Sequence, residues 1–359
     1  MFKYVRKRIL YGFLVMLGVA MLVFFLFNIL PGDPARMMLG QRADKESIDI
    51  INRDLGRDKP LGVQFLSYVN DLSPISFHKT VDTSSFLYLD DRKYSPYIPL
   101  ATFESSSVVL KYPYLRRSYQ SKRKVSEILM EAFPKTALLA VVSMAFALVV
   151  GVSLGIFSAL KKDSIFDKAV FALSAAGMSL PSFFAAILIA WFFAYKLADY
   201  TGLNIFGTLY SIDDYGCGEY VDLKNLILPA ITLGIRPLAV ISELTKSSML
   251  EVLSQDYIRT ARAKGLSKGR IIWKHALRNT LNPVVTSASG WFASLLAGAV
   301  FVEYIFDWKG MGIVIVDGLE KYDFPVVMGA ILFICCILVL INIITDILYG
   351  ILDPRIRMK

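Results

Sequence analysis

Histidine and cysteine are scarce in this chain: two histidines (His78, His275) and three cysteines (Cys217, Cys335, Cys336) in 359 residues. Three cysteines are too few for a disulfide scaffold. Cys335 and Cys336 sit together inside an apolar run and read as ordinary buried thiols. So few histidines argue against a His-rich metal site or His-based catalysis. Charge is also short, at 19% of residues, against about a quarter in soluble domains. Catalytic signatures are missing: there is no H-E-x-x-H, no G-x-S-x-G and no G-x-x-x-x-G-K-[ST] phosphate loop. Gly265-Leu266-Ser267-Lys268-Gly269-Arg270 has the wrong spacing for the last. An intramembrane protease is therefore disfavoured, and the chain is expected to be no enzyme and to bind no ATP itself.

What is abundant is apolar sequence, 55% of residues, with a mean hydropathy of +0.53. Six stretches approach the roughly 20 residues needed to cross a bilayer: 9–30, 134–160, 165–197, 226–250, 281–305 and 325–352. The first follows Lys3, Arg6, Lys7 and Arg8 but is longer than a cleavable signal core and lacks an A-x-A-like site. It reads as a retained span, stopped by Pro31-Gly32-Asp33-Pro34. Pro181 predicts a kink, tilt or interfacial extension in the third. The fourth carries Arg236, Glu243 and Lys246 and is the most polar. The fifth is rich in Gly, Ala and Ser, as close helix packing in a membrane prefers. Helical lengths of this kind predict an all-α polytopic bundle and exclude a barrel of short alternating strands.

The net charge of +9 has an address. With the N-terminus inside, segments 1–8, 161–164, 251–280 and 353–359, with Asp167, Lys168 and Lys246 beside them, hold 18 Lys/Arg against five acids. Loops 199–224 and 306–324 hold three Lys and nine acids. Short cytoplasmic segments collect Lys and Arg, so both termini are expected inside. The same ledger removes the need for a nucleic-acid reading. Residues 31–133 would then be a long outer segment. Its start, Lys45–Leu72, has helical spacing at Ile48, Ile51, Leu55, Val63, Leu66 and Val69. Its middle, Ser73–Tyr112, rich in Ser, Tyr and Pro, predicts irregular or short β structure.

The inner loop 251–280 is the most informative stretch. Asp256-Tyr257-Ile258-Arg259-Thr260-Ala261-Arg262-Ala263-Lys264-Gly265-Leu266 is followed by His275-Ala276-Leu277-Arg278-Asn279. It reads as a short helix, a glycine break at a left-handed C-cap and a second helix N-capped by Ser267. Tyr257, Ala261 and Lys264 fall on one face at i, i+4, i+7. A basic amphipathic loop lying on anionic lipid would read similarly.

This loop resembles the EAA loop of ABC importer permeases, in the form seen in the dipeptide and oligopeptide permeases. The likeness extends to Pro31–Pro34, Val125–Leu129 with Pro134-Lys135-Thr136, Ser179-Leu180-Pro181-Ser182-Phe183-Phe184, Asp323–Val327 and Leu352–Arg357. Phe306-Asp307-Trp308-Lys309-Gly310-Met311-Gly312 resembles the family's Trp-Pro-Gly-x-Gly loop, with Lys309 in place of Pro. Residues 74–112 lack a counterpart and look like an insertion.

The resemblance implies a type I ABC importer permease fold with six transmembrane helices and an extended extracytoplasmic segment between helices 1 and 2. The domains would be 1–30 (tail and helix 1), 31–133 (outer segment) and 134–359 (permease core). It implies a bacterial inner-membrane subunit forming a pathway for di- or oligopeptides by alternating access. The partners implied are two ABC ATPases that bind the ATP and Mg, a second homologous permease, an extracytoplasmic substrate-binding protein and the lipid bilayer. The chain itself would carry no cofactor or metal. Residues Asp256, Tyr257, Arg259, Thr260, Ala261, Arg262, Ala263, Lys264, Gly265 and Leu266 would couple to the ATPase. Pathway residues are expected at Ser179, Pro181, Arg236, Trp308, Gly310 and Gly312, with Arg236 placed to meet a peptide carboxylate. Glu243 and Lys246, one turn apart, are expected to pair, and Asp346 to make a local contact. Another small solute, such as a metal chelate or glutathione, or a non-transporting receptor or scaffold, are the alternatives.

Overall fold

The computed structural model describes residues 2–29, 59–82, 85, 87–212 and 218–352. Pro31–Pro34, the spacing at Ile48, Ile51 and Leu55, Cys217 and the terminal Asp353–Arg357 motif lie outside them.

In chain order, α1 is Phe2–Ile29, α2 Leu61–Leu72, β1 Ile75–Lys79, α3 Asp91–Tyr94, β2 Tyr97–Thr102 and β3 Ser106–Lys111. Next come α4 Val125–Leu160, α5 Ile165–Ser179, α6 Ser182–Ile189 running into a π-helical stretch Ala190–Lys196, and α7 Ala198–Thr201. The short hairpin β4 Tyr210–Ile212 and β5 Glu219–Val221 leads into α8 Lys224–Ser254 and α9 Asp256–Ala263. Then α10 Lys268–Arg270, a π-helical stretch Ile271–Ala276 and α11 Leu277–Gly298 follow without a break. The last helices are α12 Val300–Ile305, α13 Met311–Glu320 and α14 Phe324–Leu352.

Among the described residues, four helices are long and apolar enough to cross a membrane: α1, α4, α8 and α14. The pair α5 and α6 with its π-helical extension makes a fifth if counted as one span, although it is bent by 115°. The bend falls at Leu180-Pro181, where the kink is expected. Pro181 has no N–H to continue the ladder of α5, and Leu180 before it is extended, as the residue preceding proline prefers. The fifth predicted span, 281–305, differs from expectation. Its helix starts far earlier, at Lys268, and ends at Gly298, with Ala299 separating α12. The second helix of the predicted loop is thus the base of this helix.

Two compact units share the chain: residues 1–5, 132–313 and 338–359 form one, and 6–131 with 314–337 the other. In the first, α8 is central despite its charges. Leu226, Leu228, Ala230, Leu233, Ala239, Ile241 and Met249 are all buried. Small residues allow the close approach of α4. A Cβ on Gly155 would stand 2.5 Å from the Ser242 carbonyl oxygen, and one on Gly234 2.8 Å from that of Ser143.

In the second unit, Ala20, Val23, Phe24 and Phe27 of α1 pack with Tyr68 of α2 and with Val327, Met328 and Leu332 of α14. The helix predicted at Val63, Leu66 and Val69 exists, but its buried edge is rotated. Leu66 is exposed, whereas Phe65 and Tyr68 meet Phe24 with ring centroids 5.2 and 5.5 Å away. The aromatic rings bury more apolar area than the aliphatic stripe and decide the face. The expected short β structure is a three-stranded antiparallel sheet in the order β1-β3-β2, with Ile75 opposite Leu110 and Leu110 opposite Ile98. Under it, the Tyr94 hydroxyl donates to Asp71 at 2.7 Å and Lys111 Nζ donates to the Asp71 carbonyl at 2.6 Å. Ser76 Oγ lies 2.9 Å from His78 Nε2. Asp323 ties residues 118–120 to the start of α14, accepting from Ser118 Oγ and, at 2.9 Å, from the Tyr119 N–H.

Candidate functional site

Helix α9 ends as the sequence predicts. Gly265 has φ +77°, a conformation that glycine adopts without penalty. The Leu266 N–H reaches the Ala261 carbonyl at 3.3 Å and the Gly265 N–H the Arg262 carbonyl at 3.0 Å. That double closure is a Schellman motif, and Leu266 packs into the same apolar cluster as Ala261. Ser267 takes the extended N-cap backbone, but its hydroxyl makes no capping bond.

The cluster seats α9 on its own chain. Ile258 and Ala261 are buried with Ile156, Ala159, Met249, Ile271 and Ala276. Ala261 therefore faces inward, a correction to its expected place on the docking face beside Tyr257 and Lys264. The small side chain is needed where α9 lies against its own support. The face left open carries Asp256, Tyr257, Arg259, Thr260, Arg262, Ala263, Lys264 and Gly265. Tyr257 is pinned from behind, its hydroxyl accepting from Asn279 Nδ2 at 2.8 Å. Arg259 and Asp256 pair at 3.3 Å, both highly exposed, which contributes little energy but orders the first turn. Lys268, Arg270 and Lys274 continue the exposed basic surface, and Trp273 stands exposed among them.

Lys246 does not pair with Glu243. Its ammonium meets Asp167 of α5 at 2.5 Å, and Asp167 also accepts from Ser158 Oγ of α4 and, at 3.0 Å, from the Asp163 N–H. Three helices are joined by one carboxylate near the loop.

Of the predicted pathway residues, Pro181 and Ser179 flank the break between α5 and α6, with Ser179 Oγ donating to the Ala175 carbonyl at 2.8 Å. Arg236 lines a cavity of about 80 Å³ with Leu180, Ser182 and Trp291. Trp308, Gly310 and Gly312 line neither this cavity nor an apolar groove of about 380 Å³ between α4, α11 and α14. They build a buried knot. Trp308 is fully buried and donates from Nε1 to the Lys135 carbonyl at 3.0 Å. Thr136 Oγ1 donates to Glu303 at 2.6 Å and accepts the Met311 N–H at 2.8 Å, while the Gly312 N–H donates to Glu303 at 2.6 Å. A Cβ on Gly310 would stand 2.4 Å from Thr136 Oγ1, and one on Gly312 2.5 Å from the Val300 Cα. Lys309, standing where the family has proline, pairs with Asp307, which itself holds a φ of 54°. Glu303 escaped the sequence reading, although an acidic residue in an apolar stretch is a signal by itself.

Comparison with known proteins agrees with the loop motif. Residues 151–358 match the model of the binding-protein-dependent transport system inner membrane component, and residues 1–83 match that of its N-terminal part. The chain is 35% identical to the di/tripeptide transport system permease protein DppB of Pseudomonas aeruginosa, over 99% of each chain. It is 34% identical to the dipeptide transport system permease protein DppB of Escherichia coli K12, over the whole of both chains. A glutathione transport system permease protein, GsiC of Salmonella typhi, is 33% identical over the same extent. Among solved structures, the inward-facing MetNI methionine ABC transporter is similar in fold, with a TM-score of 0.50 at 17% identity over 64% of this chain and 97% of that one.

Proposed function

Because the chain belongs to the family of binding-protein-dependent transport system inner membrane components, we propose that it is the peptide-carrying permease subunit of an ABC importer, coupled to its ATPases through α9. The observation that carries the coupling role is the open face of α9. A helix of two turns is fixed by Ile258, Ala261 and the Schellman turn, yet presents Tyr257, Arg259, Thr260, Ala263 and Lys264 outward. Such a rigid projecting element suits a groove on another protein better than it suits a bilayer surface, where its buried apolar residues would have to face the lipid.

In this reading the chain has six spans, the polar helix from Lys268 to Gly298 being the fifth, and both termini are cytoplasmic. Charge supports that orientation, since the loop between α8 and α11 is strongly basic. Residues 31–133 lie outside, residues 134–359 make the permease core, and 74–112 is an insertion on the outer side. Two ATPases bind ATP and Mg, and a second permease completes the pathway. A binding protein delivers the solute, and this chain holds no cofactor. Closure of the ATPases moves α9, and the helices it rests on alternate the access of the pathway. Dipeptides are the favoured cargo because the relatives named for them are the more similar over the full chain, at 35% and 34% identity against 33% for the one named for glutathione.

The test is ATP-dependent uptake of a labelled dipeptide into vesicles holding both permeases, both ATPases and the binding protein. Wild-type uptake is expected to vanish with Lys264→Glu. Uptake of glutathione but not of dipeptides would reassign the cargo. Binding and ATP hydrolysis with no accumulation would make the chain a receptor.

A further inference from the structure

Resting on the peptide-permease reading, we propose that Arg236 and Trp291 form a receptor for the free carboxylate of the transported solute, beside the break in the third span. The cavity of about 80 Å³ is walled by Leu180 and Ser182 at that break, by Thr232 and Arg236 of α8, and by Trp291 and Ser294 of α11. It is small enough to take a carboxylate head and its neighbouring carbon, leaving the rest of the solute in the pathway.

A cation on a span is costly unless something pairs with it. Arg236 is exposed on the otherwise largely buried α8. Its hydrogen bond is a long one, from Nη2 to the Met178 carbonyl at 3.5 Å. Among the described residues, no carboxylate pairs with it. A guanidinium has five N–H donors in a planar fork, and its natural complement is the two oxygens of a carboxylate. The hydroxyl of Thr232 is committed to the Leu228 carbonyl at 2.8 Å. Those of Ser182 and Ser294 have no partner among the described residues and are left for the ligand. The Trp291 indole supplies an apolar wall for the carbon next to the carboxylate. The Lys246 ammonium, by contrast, is already neutralised by Asp167, so of Lys246 and Arg236 on α8 the first is structural and the second open.

The experiment uses the complex of permeases and ATPases in nanodiscs, without the binding protein, so that its selectivity does not enter. Saturation-transfer NMR reads the affinity for dialanine and for dialanine amide. Wild type is expected to prefer the free acid by about tenfold or more, the loss that removal of a charge-assisted hydrogen bond produces. Arg236→Gln should abolish the preference, Arg236→Lys should keep part of it, and Trp291→Ala should weaken both ligands alike. Equal preference in wild type and Arg236→Gln, or no preference in wild type, would overturn the receptor. Vesicle uptake with the binding protein separates the two ideas. Full uptake by Arg236→Gln defeats the receptor and leaves the importer standing. An intact acid preference with no dipeptide uptake by wild type leaves the receptor standing and defeats the peptide cargo.

Discussion

The Thr136 hydroxyl donates to the Glu303 carboxyl group at 2.6 Å while accepting the Met311 N–H at 2.8 Å. One hydroxyl thus joins α4, α12 and the start of α13, and Gly310 leaves room for it. Thr136→Val would strand a buried acceptor and a buried donor, at about 1–3 kcal/mol each. Gly310→Ala should be worse, since its methyl collides with both partners. Both are expected to lower the melting midpoint of the detergent-solubilised complex, read by fluorescence-detected gel filtration. A wild-type midpoint for Gly310→Ala would contradict the knot.

The inward position of Ala261 separates two kinds of loop variant. Lys264→Glu and Ala263→Glu change only the open face, so the subunit should melt as wild type yet lose co-purification of the ATPase. Ala261→Glu places a carboxylate in the cluster with Ile156 and Met249. It should melt early as well as uncouple, losing on the order of 3 kcal/mol. Co-purification by affinity tag, measured beside thermal melting, distinguishes them. Equal melting of Ala261→Glu and Lys264→Glu would refute the assigned face.

Lys246 and Asp167 form a partly buried pair. Removing one partner leaves the other uncompensated, so Lys246→Met should cost about 3–5 kcal/mol. The double change with Asp167→Asn should recover much of that, because no charge remains to be desolvated. A double-mutant cycle on the melting free energy tests this, and additive losses would show that the two residues do not communicate.

The sheet unit carries its own pH dependence. Burial, then the nearby Lys111 ammonium, hold His78 down to about 4, and burial likewise pushes Lys111 down to about 8. A base depressed on folding takes up protons on unfolding. His78 therefore favours unfolding as pH falls from about 6.5 to 4, by up to about 3 kcal/mol at the lower end. Burial raises Asp71 instead, which costs stability as pH rises above its ordinary range and so opposes part of the trend. Amide protection in β1, measured relative to the intrinsic exchange rate at each pH, should fall between pH 7 and pH 5, and His78→Gln should flatten that response. A response unchanged by His78→Gln would remove the histidine from the account.

Long apolar runs and the glycine-ended loop helix were legible in the sequence because both depend on local chemistry: transfer from water and a left-handed backbone. The bend at Pro181 followed from the missing N–H. Other features depended on tertiary partners. Lys246 has Glu243 one turn before it, yet Asp167, distant in sequence, wins because Ser158 and the Asp163 amide hold it in place. Leu66 fits a helical stripe, but Phe24 selects the aromatic edge of α2 instead. The role of Glu303 depends on donors from Thr136, distant in sequence, and from the Gly312 amide, which meet it only in space.

The run from Lys268 to Gly298 carries a mechanical consequence. Its π-helical stretch widens the coil without interrupting it, so the whole run is one lever, on the order of 45 Å long at the helical rise. Tilting its foot by about 5° displaces its far end by about 4 Å, more than the width of a water molecule. A modest push at the base is thereby geared up into a solute-sized movement at the other end.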